Sequence, residues 1–164
     1  MQLKKIYKKY KFYILFLIFP FLDFPKYFYL FSRLYDGNLF KEFIRWKFKI
    51  KYGVYISKGV IIDSSVIFPH PVSIVIGSGA VIEANVTIYQ GVTIGIKDSK
   101  CYDKTKDMRE FYPYIHEEVT IYSNCTLFGG INVSSKTIVG ANSVLFSDTE
   151  PGGVYAGNPA RRIK

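Results

Sequence analysis

The chain has 164 residues, with 22 Lys and Arg against 13 Asp and Glu, a formal charge of +9, 14 Tyr, 14 Phe, one Trp and two cysteines. That length suits one domain with its own core and excludes both a multidomain machine and a disulfide-stapled miniprotein. The charge resembles that of a nucleic-acid binder until it is located: residues 1–52 carry 12 basic and 3 acidic side chains, whereas residues 53–164 carry 10 of each. Eighteen of the aromatics also lie in residues 1–52, and 12 of the 13 glycines lie from Gly53 onward. Two differently built regions therefore meet near Tyr52-Gly53, a basic aromatic region over 1–52 and a neutral one over 53–164.

The first region opens with Lys4, Lys5, Lys8, Lys9 and Lys11, followed by an apolar run from Phe12 to Leu22 broken only by Pro20. Eleven residues are too few to cross a bilayer as a helix, which takes about 20, and no small-residue cleavage site of a signal peptide follows. A second aromatic and basic stretch, Tyr27 to Tyr52, is interrupted by the helix breaker Asp36-Gly37. The pattern predicts two short helices lying on an anionic membrane surface, with rings in the headgroup boundary and lysines on the lipid phosphates. The competing expectation is that these rings pack on the rest of the protein or on a neighbouring subunit, with the lysines solvated. No nucleic-acid partner is expected, because the apolar run is too dense for a solvated groove and no nucleic-acid-binding fold follows.

From Ile50 the chain has a period of six. Ile50, Ile56, Ile62 and Phe68 lead, after a two-residue shift, to Ile76, Ile82, Ile88 and Ile94; the step resumes at Ile115, Ile121, Leu127, Val133, Val139 and Leu145. Four residues after these positions come small or β-branched residues: Val54, Val60, Val66, Val72, Ala80, Val86, Val92, Val119, Cys125, Ile131, Thr137 and Ser143. A six-residue period spreads apolar residues around a helix, so a helix is excluded. A short strand that turns a corner and repeats puts all of them into one core. Glycine and asparagine near the corners supply the backbone conformations that β-branched residues resist. The prediction is a mainly β parallel solenoid of roughly 4 to 5 coils, preceded by a short helical region.

The hexads Ile76-Gly77-Ser78-Gly79-Ala80-Val81 and Ile82-Glu83-Ala84-Asn85-Val86-Thr87 resemble the hexapeptide repeat of left-handed β-helix acyltransferases. Gly53 to Gly95, including Phe68-Pro69-His70-Pro71, and Tyr112 to Lys164, ending Tyr155-Ala156-Gly157-Asn158-Pro159-Ala160-Arg161, resemble the serine acetyltransferase branch, with a similarity to bacterial polysaccharide O-acetyltransferases. The resemblance covers about two thirds of the chain. It implies a left-handed parallel β-helix, acetyl-CoA as co-substrate, and a homotrimer with active sites between subunits.

Acetyl transfer to a hydroxyl needs a base, and an imidazole serves near neutral pH. Only His70 and His116 are available. His70 lies between Pro69 and Pro71, which stiffen its backbone, and the resemblance makes it the general base; His116 occupies a hexad position expected to face solvent. The two cysteines make no ligand spacing, so no metal is expected, and Cys125 is expected only to fill space in a small-residue slot.

The resemblance also exposes departures. Tyr55 stands where the branch has the Asp that orients the base, and Phe111 and Tyr112 stand for its acceptor-binding Arg-His pair, which removes the bidentate guanidinium that an amino-acid carboxylate favours. An inserted loop over 96–111, together with Tyr112, Phe111 and Tyr55, is therefore expected to form the acceptor pocket. Gly95 and Gly129 are expected to let the pantetheine arm approach the backbone, Ser123, Ala141 and Ser143 to line its groove, and Arg161, Arg162 or Lys164 to meet its phosphates.

The expected function is an acetyl-CoA-dependent O-acetyltransferase acting on a sugar, a nucleotide sugar or a lipid-linked glycan at the cytoplasmic face of a membrane. Two rivals stand beside it, a serine acetyltransferase with an atypical acceptor site and a catalytically inactive membrane-associated scaffold. Two unpaired cysteines agree with a cytoplasmic setting.

Overall fold

The computed structural model describes Phe24, Pro25, Phe28 and residues 38–97 and 107–164. The lysine-rich start and the apolar run over 12–22 lie outside the described residues, as does the middle of the inserted loop. Helix α1 spans Asn38–Tyr52. It ends at Gly53, whose φ of +64° is left-handed; its N–H bonds to the Lys49 carbonyl at 3.1 Å, closing the last turn. Lys49 and Lys51 lie in that turn, where cations complement the carbonyl end of the helix dipole. Among the described residues no helix is long and apolar enough to cross a membrane.

The chain then winds as a solenoid. The first coil holds β1 (Tyr55–Ile56), β2 (Ile61–Ile62) and an Ile67 bridge; the second holds β3 (Val75–Ile76), β4 (Val81–Ile82) and β5 (Thr87–Ile88). The third holds β6 (Thr93–Gly95), β7 (Tyr114–Ile115) and β8 (Thr120–Ile121), and the fourth β9 (Thr126–Phe128), β10 (Asn132–Val133) and β11 (Ile138–Val139). A last coil has β12 (Val144–Leu145) and the hairpin β13 (Val154–Gly157) and β14 (Ala160–Arg162). Three faces result: β1-β3-β6-β9-β12, β2-β4-β7-β10 and β5-β8-β11-β13-β14, parallel except at the final hairpin. The architecture is the left-handed β-helix that the hexads predict.

Each two-residue strand points its first side chain outward and its second inward. Ile76, Ile88, Ile94, Ile115, Ile121, Leu127, Val133, Val139 and Leu145 are completely buried, one coil above another, each worth about 1.5–3 kcal/mol of removed apolar surface. The small-residue slots fill the corners between them, Cys125, Thr137 and Ser143 included. Two positions depart from the expected register. Ile50 lies on α1 and is 67% exposed, since the solenoid begins only after Gly53. Val72 is 53% exposed and Ile74 fills its slot, because the extra two residues lie in the corner before β3: paired Tyr55 and Val75 are twenty residues apart, whereas Val75 and Thr93 are eighteen apart.

Both ends of the core are covered. At the start, Ile44 and Phe48 of α1 join the solenoid core, and Phe24 stacks on Phe48 at 4.6 Å and meets Phe68 edge-on at 5.4 Å, with Phe28 4.9 Å from Phe68. These three rings of the N-terminal region pack inward. At the far end Tyr155 and Ala160 are buried, and the buried Thr137 and Thr149 hydroxyls bond to each other at 3.0 Å.

Corners between the second and third faces hold a left-handed residue in the second, third and fourth coils. Asn85 supplies it in the second coil, but Glu118 (φ 60°) and Lys136 (φ 62°) do so in the third and fourth. Asparagine tolerates this conformation by bonding its side chain locally, while longer side chains carry the steric cost. Lys136→Asn is therefore expected to stabilise the fold by about 0.5–1 kcal/mol, read as a raised urea midpoint with unchanged slope.

Candidate active site

His70 occupies the widened corner between the third and first faces of the first coil. Its carbonyl accepts the Val72 N–H at 2.8 Å in a tight turn, and its side chain is exposed. The same corner in the next two coils carries Tyr89 and Tyr122. The His70 ring lies 6.2 Å from the Tyr89 ring at 55°, and Tyr89 stacks on Tyr122 at 5.1 Å and 18°. Ser123 and Ala141 follow on this corner, linked by the Asn142 N–H to the Ser123 carbonyl at 2.9 Å.

The other expected contacts lie elsewhere. Gly95 and Gly129 are stacked at the corner between the first and second faces, the Gly129 N–H bonding to the Gly95 carbonyl at 3.1 Å. A Cβ on Gly95 would meet nothing within 4 Å, so the surface there is open. Arg161 and Lys164 are exposed at the terminus; Arg162 is ion-paired with Glu150, which leaves it less suited to phosphate. Ser143 corrects the sequence reading: its side chain is fully buried and its hydroxyl accepts the Gly157 N–H at 3.1 Å, so it does not line a groove. Cys125 is a buried filler whose thiol donates to the Gly140 carbonyl at 3.0 Å, and burial pushes its pKa up.

Within one chain, Tyr55 and Tyr112 depart from the expected acceptor pocket. Tyr55 projects outward from β1, where the Lys49 ammonium sits over its ring at 5.8 Å. Tyr112 is a clamp rather than a pocket wall within its own chain. A Cβ on Gly77 or Gly79 would come within 2.4 Å of the Tyr112 ring, and one on Gly130 within 1.9 Å of the Glu110 carbonyl. Those three glycines exist to seat the returning limb of the insertion, a 3-10 turn over Met108–Phe111 capped by the Asp107 carboxylate on the Arg109 N–H. Phe111 is half-buried at the end of that turn. Their corner is the one bearing Gly95, not the one bearing His70.

A second polar cluster lies on the face of β4 and β7. Glu83 accepts the Tyr114 hydroxyl at 2.7 Å and the Glu117 N–H at 3.1 Å, and lies 3.3 Å from His116 Nδ1. His116 is thus half-buried and partnered where sequence reading placed a solvated side chain. The Tyr114 hydroxyl first, then His116, hold the Glu83 carboxyl below its usual range, and the same hydrogen bond pushes Tyr114 up. No group of three or more His, Cys, Asp or Glu able to hold a metal occurs among the described residues.

Sequence reading missed the Tyr89–Tyr122 stack and the Tyr112 clamp. Tyr89 and Tyr122 each directly follow an inward isoleucine, Ile88 and Ile121, so the hexad phase places both on the His70 corner; the clamp pairs residues over thirty positions apart and leaves no periodic trace.

Fold and corner geometry define a left-handed hexapeptide solenoid with His70 on its widened corner. No protein-family model matches the sequence. The chain is 32% identical over 128 residues to serine acetyltransferase 3, mitochondrial, of Arabidopsis thaliana, covering 78% of this chain and 31% of that protein. It is 30% identical over 121 residues to the serine acetyltransferase of Haemophilus influenzae, covering 74% and 43%. A solved serine acetyltransferase in complex with CoA superposes with a TM-score of 0.70 at 26% identity, over 89% of this chain and 60% of that one. The chain spans less than half the length of these two curated relatives. These similarities overturn the expected glycan acceptor: homologues and structural neighbours are serine acetyltransferases, and the polysaccharide branch has no support among them. The glycan reading rested on the basic, aromatic N-terminus, which bears on where a protein sits and not on what its active site accepts.

The Glu83 cluster gives a pH prediction. A carboxyl held low in the folded state adds stability that is present above its unfolded pKa and lost as pH falls through its folded pKa. Thermal melts of wild type and Glu83→Gln should therefore differ most at neutral pH and converge below about pH 4.

Proposed function

We propose that this chain is an acetyl-CoA-dependent O-acetyltransferase of the serine acetyltransferase type, with the hydroxyl of serine as acceptor. The observation that carries the reading is the placement of His70 on a solenoid corner, within the stretch whose sequence and coil geometry are similar to serine acetyltransferases, one of them bound to CoA. His70 takes the hydroxyl proton as the serine oxygen attacks the thioester carbonyl. The C–S bond breaks as the tetrahedral carbon collapses, and the imidazolium returns the proton to the departing thiolate, so that serine acetate ester and CoA leave and the base is regenerated.

The chemistry of the exposed residues fits the co-substrate. An open backbone surface at Gly95, with Gly129 stacked beside it, a small-residue strip at Ser123 and Ala141, and exposed Arg161 and Lys164 suit an extended amide-bearing arm ending in phosphates. These groups stand on two different corners of one chain. A groove that holds them together needs two solenoids side by side, which supports a homotrimer with each site shared between neighbours. In that arrangement the corner bearing Phe111 and Tyr112 on one subunit faces the His70 corner of the next.

His70→Ala is expected to retain CoA binding by calorimetry while losing about 10²–10⁴-fold in acetyl transfer to serine. A wild type as inert as the variant toward serine would instead favour a binding scaffold. The guanidinium missing at position 111 sets the second expectation: Phe111→Arg should lower KM for serine about tenfold with little change in kcat, since a charge-assisted bond to the carboxylate is worth about 1.5–3 kcal/mol.

A further inference from the structure

A general base must present one ring nitrogen at one angle, and among the described residues no carboxylate bonds to His70 to fix it: Tyr55, at the position that would supply one, faces outward beneath Lys49. Pro69 and Pro71 restrain the His70 backbone but leave its side-chain torsions to their surroundings. What the His70 ring does meet is the Tyr89 ring, 6.2 Å away and tilted 55°. Tyr89 cannot swing away, because its other side is stacked on Tyr122 at 5.1 Å. That spacing is close to the ~4.8 Å rise between hydrogen-bonded strands, so the solenoid itself holds the two phenols in register. The backbone confirms the register, with the Tyr89 N–H on the Ile121 carbonyl at 3.0 Å and the Tyr122 N–H on the Val139 carbonyl at 2.9 Å.

We infer that Tyr89 and Tyr122 are positioning residues for acetyl transfer: Tyr122 buttresses Tyr89, and Tyr89 sets the orientation of the His70 imidazole in place of a carboxylate. The inference rests on the proposed role of His70 as base. It assigns ring packing, not a hydrogen bond, as the orienting force. The phenol hydroxyls are therefore dispensable while the rings are not. Tyr122, 41% exposed at the surface, does not need to touch substrate to act.

Four variants of the full chain test it: Tyr89→Leu, Tyr122→Ala, Tyr89→Phe and Tyr122→Phe. Steady-state kinetics with acetyl-CoA and serine should show kcat falling about ten- to thirtyfold in Tyr89→Leu and Tyr122→Ala. KM for acetyl-CoA should stay within about twofold of wild type, and both phenylalanine variants should recover wild-type kcat. Long-range proton–nitrogen NMR of the imidazoles supplies a readout independent of turnover. With only two histidines in the chain, the His70 ring signals are assigned by their loss in His70→Ala. They should move in Tyr89→Leu, move in the same direction but less in Tyr122→Ala, and hold in the phenylalanine variants, while the His116 signals stay fixed. His70 ring signals unmoved in Tyr89→Leu would overturn the inference. So would a rise in KM at constant kcat, which would make the tyrosines a binding platform, or a loss of kcat in the phenylalanine variants, which would put the hydroxyls to work. A wild type that transfers no acetyl to serine, with the NMR dependence intact, would overturn the serine reading and leave the positioning in place.

Discussion

Each hexad of this solenoid has six residues in which to cross one face and turn one corner, and backbone hydrogen bonds to the coils on either side hold it to that count. Inward side chains must then fall on the same spot in every coil, and the column of fully buried isoleucines is the consequence. Corners must recur at the same place too, which is why Ser73, Gly91, Asn124 and Asn142 all adopt left-handed backbone at the corner between the third and first faces. A residue too many cannot be absorbed within a strand, because it would turn the inward column outward. Extra residues are pushed into corners.

The two corners that take extra residues carry the candidate site residues His70, Phe111 and Tyr112. Two residues widen the turn that presents His70. A longer insertion leaves after Gly95 and returns through the Met108–Phe111 turn, seated by the Tyr112 ring on Gly77 and Gly79. The rigid stack fixes where both corners stand, so the site is built from loops on an unyielding scaffold, the arrangement in which loops most often carry function. Because the corners belong to different edges of one prism, the candidate contacts converge only when solenoids stand side by side.

The ends of the stack impose a separate demand, since a repeat array exposes its core wherever it stops. Aromatic packing of Phe24, Phe28, Phe48 and Phe68 covers the first coil, and the antiparallel β13–β14 hairpin with Tyr155 covers the last. Part of the aromatic surplus that gives residues 1–52 a membrane-seeking composition is thereby spent on closing the core. Net charge and aromatic content describe this segment without deciding what its rings touch.

The sequence by itself determined the solenoid, its coil count and the inward column from Ile56 onward, because a six-residue period with apolar and small slots admits one chain path; only two imidazoles exist, and the family resemblance singled out His70 between them. Register after the two-residue shift was less legible: Val72 fits the sequence rule for a small slot, yet Ile74 occupies it, since the widened corner is invisible until the strands are paired. Specific contacts across coils were less legible still. Ser143 reads as a groove residue until its hydroxyl is found on the Gly157 N–H, Tyr112 as a pocket wall until its ring is found on two glycines, and His116 as solvated until Glu83 is beside it. Tertiary structure decided these, and it alone set Tyr89 and Tyr122 against His70, because residues nineteen and fifty-two positions further along become neighbours only when coils stack at the fixed rise of a parallel sheet.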